Sequence, residues 1–253
     1  MIKIQRLTED SSWFLEWGKV KLVIDPWLEG SEIDGFSWLN EQWHSTDPVS
    51  INELPAYQAI LVSQSYEDHC HTPTLAKMDS NKPILAAPKA YDKLKKKFPQ
   101  RELMKLSSES PVGLGELSFI SLTPNKRLDP IYYGILITNA NNEGIFYCPH
   151  GFALSSQQLK AFEGINIKLL ITTFTEFDLP SILGGKVNPG LNNVRQIKEQ
   201  INPESIINTH DEEKIMKGLV AKTAKITYAN YQELEQSNEL NFKYIKGYEP
   251  VSI

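Results

Sequence analysis

Residues 68 to 71 read Asp-His-Cys-His, a set of side chains that can hold a divalent cation or move a proton. Imidazole nitrogen and carboxylate oxygen are ligands of zinc, and of manganese or iron as well. The chain has 5 histidines in 253 residues, so His69 and His71 beside Asp68 form a concentration rather than a scatter. Two more, His150 in Cys-Pro-His-Gly and His210 in Asn-Thr-His-Asp, each close an apolar run. The fifth, His44, sits in an aromatic-rich stretch and reads as part of its packing. Each residue also has a bland reading. Asp68 could help cap a helix opening at Thr72-Pro73, Asp211 could cap one after His210, and a histidine can be a hydrogen-bonded core residue. Cys70 and Cys148 lie within two residues of candidate ligands; both read as small buried thiols, with Cys148 also able to line a site.

Apolar periodicity indicates what must carry these side chains. Residues 2–6, 12–16 and 20–25 read as a β-meander, with turns at Glu9-Asp10-Ser11 and Gly18-Lys19, and Pro26 ends its ladder. Residues 27–57 read as an irregular aromatic loop, either a wall beside the site or an ordinary packed loop. A buried strand over 58–63 leads to Asp68 and His69, followed by a short helix near 73–79, a strand at 83–87 and a helix at 88–97. Strands are expected at 115–123, 131–138 and 145–148, with a hairpin turn at Asn139 to Gly144. A helix near 155–163, a strand over 167–172, a long loop from 174 to 190, a helix over 191–200 and a strand over 205–210 follow. The tail predicts a helix after Asp211, another near 231–236, and an edge strand near 242–246. Candidate ligands therefore fall at strand ends, where an α/β sheet places its chemistry.

Composition narrows the function classes. Net charge is −5 with acidic and basic residues interleaved, and the basic run at Lys93 to Lys97 reads as a solvated helix face. Nucleic acid and anionic membrane are thus poor partners, and a small-molecule substrate is expected, with oligomeric state open. No apolar run approaches the roughly 20 residues needed to cross a bilayer, and the N-terminus enters strand-like sequence directly. Two cysteines make no disulfide framework, so a reducing, cytoplasmic compartment is the default.

Taken in order, Asp25-Pro26 after a meander, Asp68-His69 after a buried strand, and His150 and His210 at later strand ends resemble the metallo-β-lactamase superfamily. The likeness is nearest to its UlaG-like metal-dependent hydrolases and their cyanobacterial and plant relatives. It implies one domain over residues 1–253, an α+β four-layer αβ/βα sandwich with two mixed β-sheets flanked by helices. The family's HxHxDH motif falls on Gln64 to His69, so Gln64 and Tyr66 stand where the first metal's histidines would be; hydrogen bonds from these two are expected to fill that space. The stretch from Leu122 to Lys126 offers no third histidine. For the second metal, the resemblance implies Asp68, His69, His150 and His210, with His150 in place of a bridging aspartate. One divalent ion is expected, zinc first and manganese or iron next. His71 matches the nearer relatives' pattern and would serve as proton shuttle, extra ligand or support. The resemblance places the 174–190 loop over the site, where Glu176 and Asp178 could bind a cation but read more simply as solvated.

Three functions follow. In the first, a mononuclear metallo-hydrolase activates a water, with Asp68 or His71 moving the proton. The second keeps the fold and uses the rim as a non-catalytic binding or structural module. In the third, no metal binds and the histidines form a general acid/base pair.

Overall fold

The computed structural model describes residues 1–124, 132–183, 185–237 and 239–253. Two mixed β-sheets face each other. In the first, Ile2–Arg6, Trp13–Trp17 and Val20–Ile24 make the antiparallel meander, with Val251–Ser252 added at its outer edge. Ala59–Val62, Ile84–Ala86 and Leu103–Lys105 extend that sheet in parallel. In the second, Val112–Leu114, Leu117–Leu122, Gly134–Asn139 and Glu143–Cys148 are antiparallel, and Asn166–Thr172 and Ser205–Asn208 join in parallel.

Alternation along the strands decides the layers, because successive side chains point to opposite faces. Leu22 and Ile24 from one sheet meet Phe119, Ile135, Ile137 and Tyr147 from the other in a shared core. Val23, Ile60 and Val62 face the other way, onto Leu75, Ala90 and Leu94 of the helices Thr72–Lys77 and Pro88–Lys97. Across the molecule, Leu136, Phe146 and Leu170 pack on Val194 and Ile197 of Leu191–Ile201 and on Leu234 of Tyr231–Ser237. The order is helix, sheet, sheet, helix: the four-layer αβ/βα sandwich. A strand covered on both faces reads as an unbroken apolar run, and Ala59–Val62 is buried at all four positions.

Several segments differ from the sequence reading. The 27–57 loop contains the strands Glu32–Ile33 and Glu41–Trp43, which pair with each other, and Glu41–Trp43 also pairs with Ile215–Lys217. The 174–190 loop folds into the paired strands Glu176–Asp178 and Lys186–Pro189, and Glu176–Asp178 also pairs with Lys225–Thr227. No helix starts at Asp211, because its carboxylate accepts from Thr173 Oγ1 and from the Phe174 and Thr175 N–H groups instead. The short helix Leu219–Thr223 comes eight residues later. No strand forms over 242–246, where a single bridge joins Phe242 to Ile206. Residue 131 of the expected 131–138 strand, and residues 125 and 126 of the stretch lacking a histidine, lie outside the described residues.

Ala59–Val62, Glu143–Cys148, Asn166–Thr172 and Ser205–Asn208 run in parallel within their sheets, and their carboxyl ends lead into the loops that carry the candidate ligands.

Candidate metal centre

The first fixed point is Asp25, where Val20–Ile24 runs out. Its φ of 45° lies in the left-handed region, a strained backbone that its surroundings over-determine. Its N–H donates to Leu61 O at 2.8 Å. Its fully buried carboxylate accepts from Ser63 N–H at 2.7 Å, Ser63 Oγ at 2.5 Å, Tyr147 Oη at 2.7 Å and His69 Nδ1 at 2.8 Å. With Nδ1–H donated there, the lone pair of His69 Nε2 faces inward.

His150 and His210 are arranged by the same logic. His150 Nδ1 lies 2.8 Å from Asn188 Oδ1, and its ring stacks on Tyr132 with centroids 3.9 Å apart. The turn that presents His150 needs Gly151, whose φ is 74° and where a Cβ would sit 2.6 Å from both Asn193 Oδ1 and Pro189 Cγ. His210 also has a left-handed φ, 56°; its N–H donates to Asp10 O at 3.0 Å, and Nδ1 lies 3.2 Å from Asp10 Oδ1. Three imidazoles thus turn Nε2 to a common point.

Asp68 Oδ2 completes the group, 3.6 Å from both His69 Nε2 and His210 Nε2, while His69 Nε2 lies 3.0 Å from His150 Nε2. The four ligand atoms lie within 4.8 Å of one another. Ligands in a tetrahedron around zinc at about 2.0–2.2 Å are roughly 3.3–3.6 Å apart, so the observed separations have the scale of a single ion's shell. The other oxygen, Asp68 Oδ1, is buried with no hydrogen-bond partner among the described residues. The cluster is rich in acceptors and short of donors, which is the chemistry a cation satisfies.

The charges agree. Burial would lower the His69 imidazole, yet the Asp68, Asp25 and Asp10 carboxylates outweigh it and push it up to about 9. His150 goes the other way, well below the usual range, through burial and then the charges of His210 and His69. A protonated His69 can therefore donate to a neutral His150, and a metal ion would take that proton's place. Asp68 stays below the usual carboxylate range, because His69, His210 and Lys214 outweigh its burial. Lys214 Nζ donates to Asp10 Oδ2 at 3.0 Å, and the neighbouring carboxylates raise its pKa despite burial.

Asp68, His69, His150 and His210 are therefore brought together, and His71 is not. His71, expected as proton shuttle, extra ligand or support, caps the helix Thr72–Lys77. Its Nδ1 accepts from Thr74 N–H at 3.3 Å and lies 2.8 Å from Thr74 Oγ1, and Nε2 lies 3.2 Å from Ser31 O. Both ring nitrogens are committed to structure. Gln64 fills its space with two bonds across the sheets, Nε2 to Tyr133 O at 2.8 Å and Oε1 from Tyr133 N–H at 3.0 Å. Tyr66 lines the adjoining cavity. Cys70 and Cys148 are buried, and burial pushes both thiols up to about 12, so neither offers a thiolate. Glu176 and Asp178 point outward and pair with Lys186 at 2.8 and 3.5 Å. His44 packs on Trp27 and also binds Glu212 Oε2 at 2.5 Å, which fixes the loop beyond His210.

Asp10, Asn188 and Lys214 support the cluster and were missed by sequence reasoning. Asp10 sits in Glu-Asp-Ser, an ordinary turn signal, and Asn188 and Lys214 lie in segments without period. The cavity beside the cluster measures about 300 Å³. Its lining includes Asp68, His150 and His210, an aromatic and apolar wall with Tyr66, Phe177 and Met216, and Glu32 and Asp34.

A family profile described as "Beta-lactamase superfamily domain" matches residues 6–210, a span that contains all four clustered side chains. The chain belongs to this superfamily. Its sheets and flanking helices are those of the metallo-β-lactamase fold. Solved structures align over nearly its whole length. An isothiocyanate hydrolase from Delia radicum gut bacteria is 14% identical with a TM-score of 0.72, covering 99% of this chain and 98% of its own. A possible metal-dependent hydrolase from Veillonella parvula is 12% identical, also at 0.72, covering 99% of each chain. Igni18, a metallo hydrolase from the archaeon Ignicoccus hospitalis, is 12% identical at 0.68, covering 99% and 98%. At these identities the superfamily member shares a fold with them, and its chemistry has to be argued from its own residues. A comparison with curated protein sequences returned no match. Among the described residues, no helix is long and apolar enough to cross a membrane.

Proposed function

We propose that this superfamily member is a hydrolase of a small-molecule substrate, working with one divalent ion held by Asp68, His69, His150 and His210. Three neutral nitrogens and one carboxylate suit zinc, and also manganese or iron. Such an ion, when bound, makes a water more acidic and polarises a carbonyl or phosphoryl oxygen. The chain's own residues supply the rest. Asp25, Asn188 and Asp10 hold the three imidazoles in the tautomer that turns Nε2 inward. Asp68 Oδ1, without a hydrogen-bond partner among the described residues, is the acceptor for a proton released at the cluster. Lys214 lines the cavity and places a fixed positive charge where an oxygen becomes negative. Phe177, Leu179 and Val187 exclude water from the cavity.

One observation carries this reading: the inward Nε2 atoms and Asp68 Oδ2 converge on one point, with each Nδ1 engaged elsewhere. Elemental analysis of the purified protein tests it. Near one equivalent of metal is expected, falling steeply in His150→Ala, together with ester or phosphodiester turnover that His69→Ala abolishes. A wild type without stoichiometric metal sinks the proposal.

Gln64 favours a second reading. Where the resemblance implies a first-metal histidine, this residue is instead a clamp on the Tyr133 backbone. A fold that has converted a ligand position to structure could retain its cavity purely for binding. Metal loading without turnover on any substrate of the panel, together with tight binding of a ligand, would favour this view.

A further inference from the structure

The cavity has a second polar corner that the ligand cluster leaves unused. Glu32 is only 1% exposed. Its Oε1 accepts from Asn40 Nδ2 at 3.0 Å, and its buried Oε2 has no hydrogen-bond partner among the described residues. Two residues on, Asp34 Oδ1 accepts from Glu67 N–H at 3.2 Å. Both carboxyls line the same cavity as Asp68. Close carboxylates in a buried place repel unless a cation or a shared proton intervenes. That stress is visible: burial, then the charges of Asp34 and Asp68, pushes Glu32 up to about 9. Burial and Asp68 likewise raise Asp34 to about 6.

The rest of the lining fixes the occupant. Lys214 is already bonded to Asp10 at 3.0 Å, and among the described residues no arginine lines the cavity. The same cavity is also lined by Phe177, Leu179, Val187, Met216 and Ile226. An anionic ligand would meet four carboxyls, those of Glu32, Asp34, Asp68 and Glu212, and, among the described residues, a single lysine that is already paired. A ligand with an ammonium group and an apolar body satisfies both sides, because charge-assisted hydrogen bonds to carboxylates are the stronger kind.

We propose that Glu32 and Asp34 form a binding site for a protonated amine, so that the substrate class is a small, mainly apolar molecule bearing an ammonium group beside its hydrolysable bond. The substrate half of this statement rests on the hydrolase reading, and the amine site stands apart from it. In the complex, the ammonium takes the place of the Glu32 carboxyl proton, which leaves to solvent; Glu32 Oε2 then accepts from the ammonium, Asp34 shares its charge, and the apolar body lies along Phe177 and Met216.

Calorimetric titration of the purified full chain at pH 7.5 with n-hexylammonium, hexan-1-ol and hexanoate is the test. Metal content and a thermal melt are measured on each sample. The expected result is ammonium binding about ten-fold or more tighter than the alcohol, with no measurable hexanoate binding. Glu32→Gln and Asp34→Asn should each reduce that preference sharply, while alcohol affinity and metal content stay at wild-type values. Equal binding of alcohol and ammonium by the wild type overturns the site, as does a preference that survives in both variants. If Glu32→Gln does not fold, Asp34→Asn carries the comparison alone. A protein that lacks metal yet prefers the ammonium removes the hydrolase reading and keeps the amine site. A metal-loaded protein without the preference does the reverse.

Discussion

Replacing Asp25 with asparagine tests the reasoning at its most connected point. The wild-type carboxylate accepts four hydrogen bonds: from Ser63 N–H and Oγ, Tyr147 Oη and His69 Nδ1. An amide has one acceptor oxygen, and its NH₂ must face either Ser63 N–H or the three donors converging on Oδ2. In either orientation a buried donor loses its acceptor, and the remaining bonds lose their charge. An orphaned buried donor costs about 1–3 kcal/mol, and hydrogen bonds to a charged group contribute about 1.5–3 kcal/mol each. A loss of about 3–5 kcal/mol follows, which for a chain of this size lowers the melting temperature by roughly 6–20 °C. Because His69 also loses the partner that orients its ring, metal affinity should fall about 10- to 100-fold. Thermal melts of the metal-free proteins measure the first effect, and chelator-competition titration measures the second. Asp25→Asn that melts within 2 °C of wild type and holds metal as tightly would refute the hub role assigned to this residue.

Three further outcomes are expected. Gln64→Leu should cost about 1–3 kcal/mol in denaturant unfolding, since the Tyr133 N–H and carbonyl lose their partner within the sandwich. His71→Ala should lower stability by about 0.5–2 kcal/mol through loss of the helix cap, with metal content unchanged; a fall in metal content would return His71 to the site. Glu32 gives a pH dependence. Its folded pKa, about 9, is raised above the ordinary value of 4.5, so its contribution is complete below pH 4.5 and is lost as pH rises through 9. Melts between pH 5 and 9 should therefore show a smaller decline in Glu32→Gln than in wild type.

The sequence made the ligand types readable because they sit at strand ends, and strand ends follow from where apolar runs stop. His69 comes shortly after Ala59–Val62, His150 two residues after Glu143–Cys148, and His210 two after Ser205–Asn208. The supporting groups were not readable, because they act through space. Asp10 reaches His210 from 200 residues away, and Asn188 meets His150 across 38. The helix expected after Asp211 failed because a good cap residue was claimed by another loop, a tertiary contact that overrides local preference. The edge strand expected at 242–246 is reduced to one bridge, from Phe242 to Ile206 at the edge of the second sheet, and the tail's own edge strand, Val251–Ser252, lies in the first. Phe177 was unremarkable in its loop. As the middle residue of a three-residue strand it lines the cavity, while Glu176 and Asp178 on either side pair with Lys186.

Asp68 and His69 follow a strand of one sheet, and His150 and His210 follow strands of the other. An ion at their meeting point would act as a rivet through the seam between the two halves of the molecule. Binding only the assembled state, at a free concentration 1,000 times its dissociation constant, it would add about 4 kcal/mol to the resistance against unfolding. The melting temperature would then register metal supply, whether or not any substrate was present.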